Sequence, residues 1–137
     1  MDMLDASRAE AILKSISSAD IGQSLVVAQG LCVAVETLPG TDAMLKFVAL
    51  HLMNCRPDKG KNSGILFKGK KRGQTALIDL PTVGPETVRE AHIAGLSGIV
   101  IQENAVIVLK KKKMISLAND FGIFIWSRKN KLDGNIL

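Results

Sequence analysis

The chain has 137 residues, the length of one domain, with 47% hydrophobic and 23% charged residues, a globular composition that excludes intrinsic disorder. Its net charge of +5 and pI near 9.4 favour anionic partners. Aromatic residues make up 4%, with one Trp and no Tyr, so the stacking platforms of single-stranded nucleic-acid binders are excluded and no specific nucleic acid is expected.

Ala6 to Ser17 reads as a helix with Ile12, Leu13 and Ile16 on its apolar face. Leu25 to Ala28 and Leu31 to Glu36 read as strands turned at Gln29-Gly30. Cys32 lies in this apolar run and is expected to be a buried free thiol. Neither it nor Cys55 has metal or redox spacing, which suits a reducing cytoplasm. After the turn Leu38-Pro39-Gly40, Thr41 caps a helix running to about Met53, with Asp42 in its first turn. That helix is apolar nearly all round and is expected to be well buried.

Asn54 to Ser63 is a polar loop. Gly64 to Lys68 and Thr75 to Leu80 read as strands joined by a basic loop, and Pro85 opens a helix that ends near Gly95. Gly98 to Gln102 and Ala105 to Leu109 read as a hairpin turned at Glu103-Asn104. Lys111 to Phe121 is a helix and Gly122 to Trp126 the last strand. Three hairpin-then-helix units and a closing strand give an α/β fold: a single domain with a mixed sheet of about seven strands and helices packed on it. Residues 1–127 form that domain, and 128–137 form a polar, frayed tail. No leader of basic then apolar residues opens the chain, and Ile21 to Val35 is too short and polar to span a bilayer.

Gly64 to Lys71 reads G-I-L-F-K-G-K-K, near a phosphate-binding P-loop. It fails because Lys71 stands where a Ser or Thr must hold magnesium, and because Ile65 to Phe67 are strand-like. His51 and His92 lack a paired ligand spacing and read as structural. The acidic residues carry more information. Glu36 ends an apolar strand, Asp42 opens a helix, Asp79 lies in the apolar run Ala76 to Leu80, and Asp20 precedes the first strand. Charge in apolar runs is costly unless paired or metal-bound. Carboxylates gathered at element ends could hold magnesium; local caps and a lysine pair for Glu36 account for them equally well.

Several segments together resemble the C-terminal domain of the LpxI-type UDP-2,3-diacylglucosamine pyrophosphatase family. These are Ala19 to Val27, the stretch Val35 to Leu45 containing Glu36 and Gly40-Thr41-Asp42, and Asp79 to Val88 containing Asp79-Leu80-Pro81-Thr82-Val83-Gly84. Ala94 to Ile99 and Phe121 to Phe124 complete the set. The resemblance implies a lipid A biosynthesis enzyme that hydrolyses UDP-2,3-diacylglucosamine to UMP and lipid X with a divalent metal, usually Mg2+. It implies Asp79 as the catalytic residue, holding the metal or activating water. Asp42 and Glu36 join Asp79 as metal candidates. Asp20, Gln23, Gly40, Thr41, Lys68, Thr82 and Gly84 are the substrate-binding candidates, Lys68 by neutralising phosphate charge. It also implies a homodimer and an additional N-terminal α/β domain that these 137 residues do not contain. The alternative is a non-catalytic binding or dimerisation module of that enzyme. The lysines at 110–113 suit either a peripheral contact with the anionic inner membrane or plain solvation.

Overall fold

The computed structural model describes residues 1–55, 63–70 and 80–129. Helix α1 spans Asp2–Ile16 and is followed by a 3-10 turn at Ser17–Ala19. Strands β1 (Ser24–Ala28) and β2 (Leu31–Val35) then precede α2 (Thr41–Cys55). β3 (Ile65–Lys68), β4 (Thr82–Val83) and α3 (Pro85–Ile93) follow, then β5 (Gly98–Gln102), β6 (Ile107–Val108), α4 (Lys111–Phe121) and β7 (Phe124–Arg128). Residues 75–79 of the expected strand Thr75 to Leu80, among them Asp79, most of the basic loop and the tail from residue 130 onward lie outside the described residues.

Five strands form one mixed sheet in the order β2-β1-β3-β5-β7, and β4 and β6 form a separate pair. β1 runs antiparallel to both neighbours, whereas β3, β5 and β7 are parallel. Alternation along each strand splits the core into two layers. Leu25, Val27, Ile65, Phe67 and Val100 face α1 through Ala6, Ala9 and Leu13. Val26, Leu66, Ile99 and Ile101 face the other way, against α2, α3 and α4. The result is a sheet sandwiched between one helix and three.

The α/β class, the mixed sheet and the single domain match the expectation, but among the described residues the strands divide five and two, and β4 at Thr82–Val83 is not one of the expected strands. The turn after β5 forms, with Asn104 in the left-handed region at φ 62°. The chain then leaves the sheet, and β6 pairs in parallel with β4 instead of returning along β5. β5 is already paired on both sides, by β3 and β7, so no edge remains for a hairpin partner.

Three local expectations need correction. Of the expected face of α1, Leu13 is buried while Ile12 and Ile16 are only partly so, and the buried stripe adds Ala6 and Ala9 together with Asp5 and Glu10. Asp5 is buried because its carboxylate accepts the backbone N–H groups of Gln29 (3.2 Å) and Gly30 (2.7 Å), capping the β1–β2 turn. Cys32 is exposed, because β2 is the sheet edge. Partial shelter of its thiol still raises the pKa, against a lowering by Arg8, which leaves it a weak nucleophile. Finally, α2 is not buried all round: Ala43, Phe47 and Leu50 are exposed where the sheet ends beneath it. No helix among the described residues is long and apolar enough to cross a membrane.

Candidate functional site

β3, β5 and β7 end at one edge of the sheet, and β1 begins there, since Ser24 pairs with Lys68. Open α/β sheets build their sites at the carboxyl ends of parallel strands, where the following helices start. Here a cavity of about 490 Å³ is lined by the first residues of three helices. Gly40, Thr41 and Asp42 come from α2, Gly84 to Thr87 from α3, and Lys110 and Lys113 from α4, with Lys68 and Thr82 from strands.

Three helix starts direct unpaired backbone N–H groups and positive dipole ends toward one space. Side chains reinforce the sign: Lys68, Arg89, Lys110 and Lys113 face two carboxylates, Asp42 and Glu86. Glu86 is paired with Arg89 along α3. Lys110 sits at the start of α4 with φ 47°, a left-handed conformation costly for a side chain with a Cβ. Lysines also fill the first turn of α4, where the dipole favours acids. A bound anion would offset the repulsion between these lysines and the helix dipole.

Beneath the cavity lies a hydrogen-bonded chain of four side chains. Ser24 and Thr41 each donate to Glu36 Oε2 at 2.5 Å. Lys68 Nζ donates to Thr41 Oγ1 at 3.0 Å. Parity explains the grouping: Lys68 shares the face of Leu66, and Ser24 that of Val26, so both point toward α2. Lys68 is only 9% exposed, which keeps its ammonium in a weakly screened position.

The cavity therefore unites Asp42, Gly40, Thr41, Lys68, Thr82 and Gly84 from the sequence expectation. Glu36 does not line it and reaches it through Thr41. Asp20 and Gln23 do not line it either. Asp20 closes the 3-10 turn in a left-handed conformation, and the Gln23 carbonyl accepts the Gly69 N–H at 2.9 Å, fixing the chain just after Lys68. His92 stacks on Phe121 and His51 packs against Phe47 with the rings tilted by 40°, in keeping with a structural role. The sequence reading did not assign Arg89, Lys110 and Lys113 to a site. The signal that could have found the lysines was their position at a helix start, against the dipole.

Gly22 passes so close to Glu36 that an added Cβ would run into its carbonyl oxygen and lie 3.0 Å from its Cβ. Gly22→Ala should therefore displace the Glu36 backbone and lower stability by about 1–3 kcal/mol. Urea denaturation would measure the loss, and an unchanged midpoint would refute the close approach.

Comparison with known proteins bears on what the site belongs to. A protein named UDP-2,3-diacylglucosamine pyrophosphatase LpxI, from Caulobacter vibrioides, is 39% identical over 123 residues. The alignment covers 90% of this chain and 44% of that protein, so the chain spans less than half the length of its relative. A family model described as the LpxI C-terminal domain matches residues 1–126. With that match running from the first residue almost to the end of β7, the chain belongs to the LpxI C-terminal domain family.

Proposed function

We propose that this domain binds the pyrophosphate of UDP-2,3-diacylglucosamine and supports its hydrolysis to UMP and lipid X, a step of lipid A biosynthesis. The observation that carries the reading is the cavity where three helix starts meet Lys68, Arg89, Lys110 and Lys113. A pyrophosphate diester carries two negative charges and many acceptor oxygens, and such a surround is complementary to it. Lys68, fixed by Thr41, is suited to holding a phosphoryl oxygen as negative charge develops on the leaving group. The N–H groups opening α2 and α3 are suited to the remaining oxygens.

Magnesium is compatible with the residues in one form. Among the described residues no three His, Cys, Asp or Glu side chains are grouped to hold a metal, so a cage made wholly by them is not formed. Magnesium commonly takes one or two carboxylates and completes its shell with water and substrate phosphate. Asp42, on the cavity wall, fits that role. Glu36 suits it less, because one of its oxygens already accepts two hydroxyl groups. When bound, the metal would supply charge neutralisation and a more acidic water. Asp79 stands three positions before the cavity residue Thr82 in the chain and remains the candidate to orient or deprotonate that water.

The test is UMP release from UDP-2,3-diacylglucosamine by the chain with magnesium, beside Asp79→Ala and a chelator. Release that is lost in both controls is the expected result. Because the chain spans less than half of its relative, the second reading is a binding module of a larger enzyme. Binding of lipid X or UMP without release would support that reading, and neither binding nor release would remove both.

A further inference from the structure

Ser24 and Glu36 carry polar groups that do not line the basic cavity, yet both are bonded to the side chains that do. Ser24 is fully buried and faces Lys68 across the β1–β3 pair. Glu36 is tied to Ser24 twice. Its N–H donates to the Ser24 carbonyl at 2.9 Å, and Ser24 Oγ donates to Glu36 Oε2. Donor and acceptor capacity then fixes the direction of every bond in the chain. A carboxylate only accepts, so Ser24 and Thr41 each direct their single proton at Glu36. Thr41 Oγ1 is left with lone pairs, and these meet Lys68 Nζ at 3.0 Å, which as an ammonium only donates. The two hydroxyl oxygens lie 3.2 Å apart, so Ser24 also packs against Thr41.

We infer that Glu36 and Ser24 are positioning residues for Lys68: they turn the Thr41 hydroxyl so that it accepts from the ammonium, and they act on pyrophosphate only through it. The inference rests on the reading of the cavity as a pyrophosphate site, and it gives Glu36 a task other than metal ligation. The sign of the effect separates this from plain electrostatics. A carboxylate beneath an anion site repels the anion, so by Coulomb's law alone removing its charge tightens binding. A carboxylate that holds a buried lysine in place does the opposite, because its loss loosens the ammonium. Glutamine keeps the shape of Glu36 and one acceptor oxygen, but it lacks the charge that makes such hydroxyl bonds roughly twice as strong as neutral ones.

Two measurements on the chain, both with a chelator present, test this. The first is titration with inorganic pyrophosphate. Glu36→Gln should weaken binding roughly tenfold and Ser24→Ala roughly threefold, within the range shown by members of one hydrogen-bonded network. The second is the proton–nitrogen correlation spectrum of the lysine ammonium groups without ligand, where the Lys68 signal is identified by its loss in Lys68→Met. A buried ammonium on a fixed acceptor is protected from exchange, so its signal should be present in the wild type and broadened or absent in both variants. Circular dichroism checks folding, and Ser24→Ala, which adds no bulk, carries the test where Glu36→Gln does not fold. Unchanged or tighter pyrophosphate binding in a folded variant would overturn the inference. Weaker binding with an unaltered Lys68 signal would overturn it too, since the effect would bypass Lys68, and so would the lack of a Lys68 signal in the wild type. A loss that appears only when magnesium replaces the chelator would make Glu36 a metal ligand instead. Failure of the wild type to bind pyrophosphate would remove the reading of the cavity itself, and this inference with it, whatever the Lys68 signal shows.

Discussion

Lys68→Met should lower kcat/KM for UMP release by roughly 100- to 1,000-fold, the range found when one preorganised donor to developing charge is removed. Lys68 ends β3 with 9% exposure, and its ammonium stands 3.0 Å from Thr41 Oγ1. Thr41 in turn donates to Glu36, which also holds Ser24. The ammonium is thus held by a fixed acceptor in a space where water screens it little, which makes its charge worth more to a phosphoryl oxygen than a surface lysine's. Methionine keeps most of the apolar stem, so packing around β3 survives and the loss reports charge. Titration with inorganic pyrophosphate supplies a readout that does not depend on turnover, and affinity should fall with kcat/KM. Lys113→Met, on the exposed rim of the same cavity, should weaken binding less, because a solvated ammonium contributes little. Wild-type affinity and turnover in Lys68→Met would refute the assignment of the cavity as the pyrophosphate site.

Much of this site was legible because it is local in sequence. Leu38-Pro39-Gly40-Thr41-Asp42 announces a turn and a helix start, and Pro85 announces another, so two of the three helix starts follow from short-range chemistry. Residue alternation then puts Lys68 on the face of Leu66, the face that α2 covers. What was not legible depends on pairing over distance. Nothing near Ile107 says that its partner is Thr82 and not β5, since a turn at Asn104 is equally compatible with both. Glu36 looked like a metal candidate because a carboxylate ending an apolar strand needs a partner. Its partners turned out to be two hydroxyls, and sequence spacing does not distinguish a hydroxyl from a cation as the compensating group. The lysines opening α4 read as a membrane contact or as plain solvation, because the rest of the cavity they line comes from two other helices and two strands.

The same difficulty explains Arg128, which the sequence reading assigned to the tail and which instead ends β7, 4% exposed. Its guanidinium stands 3.2 Å from Glu10 of α1 and donates to Ser7 Oγ at 2.9 Å, while the Trp126 ring lies beneath it at 5.2 Å. Glu10 is comparably buried. Such a pair is weak evidence of net stabilisation, because taking two charges out of water costs about as much as their attraction returns. Breaking it is another matter. Glu10→Ala would leave a buried guanidinium without its counter-charge, and Arg128 Nε already has no hydrogen-bond partner. The expected loss is about 3–5 kcal/mol, read from urea denaturation, with a fall in Tm of roughly 10 °C for a domain of this size. Arg128→Met in the Glu10→Ala background should recover most of that loss, since it removes the stranded charge and leaves an apolar stem against Trp126. Pyrophosphate binding by the folded fraction should not change in either variant, because the pair lies on the α1 side of the sheet and the cavity on the other. A loss below about 1 kcal/mol would mean that water reaches the guanidinium and that α1 is held to β7 by its alanine and leucine stripe alone.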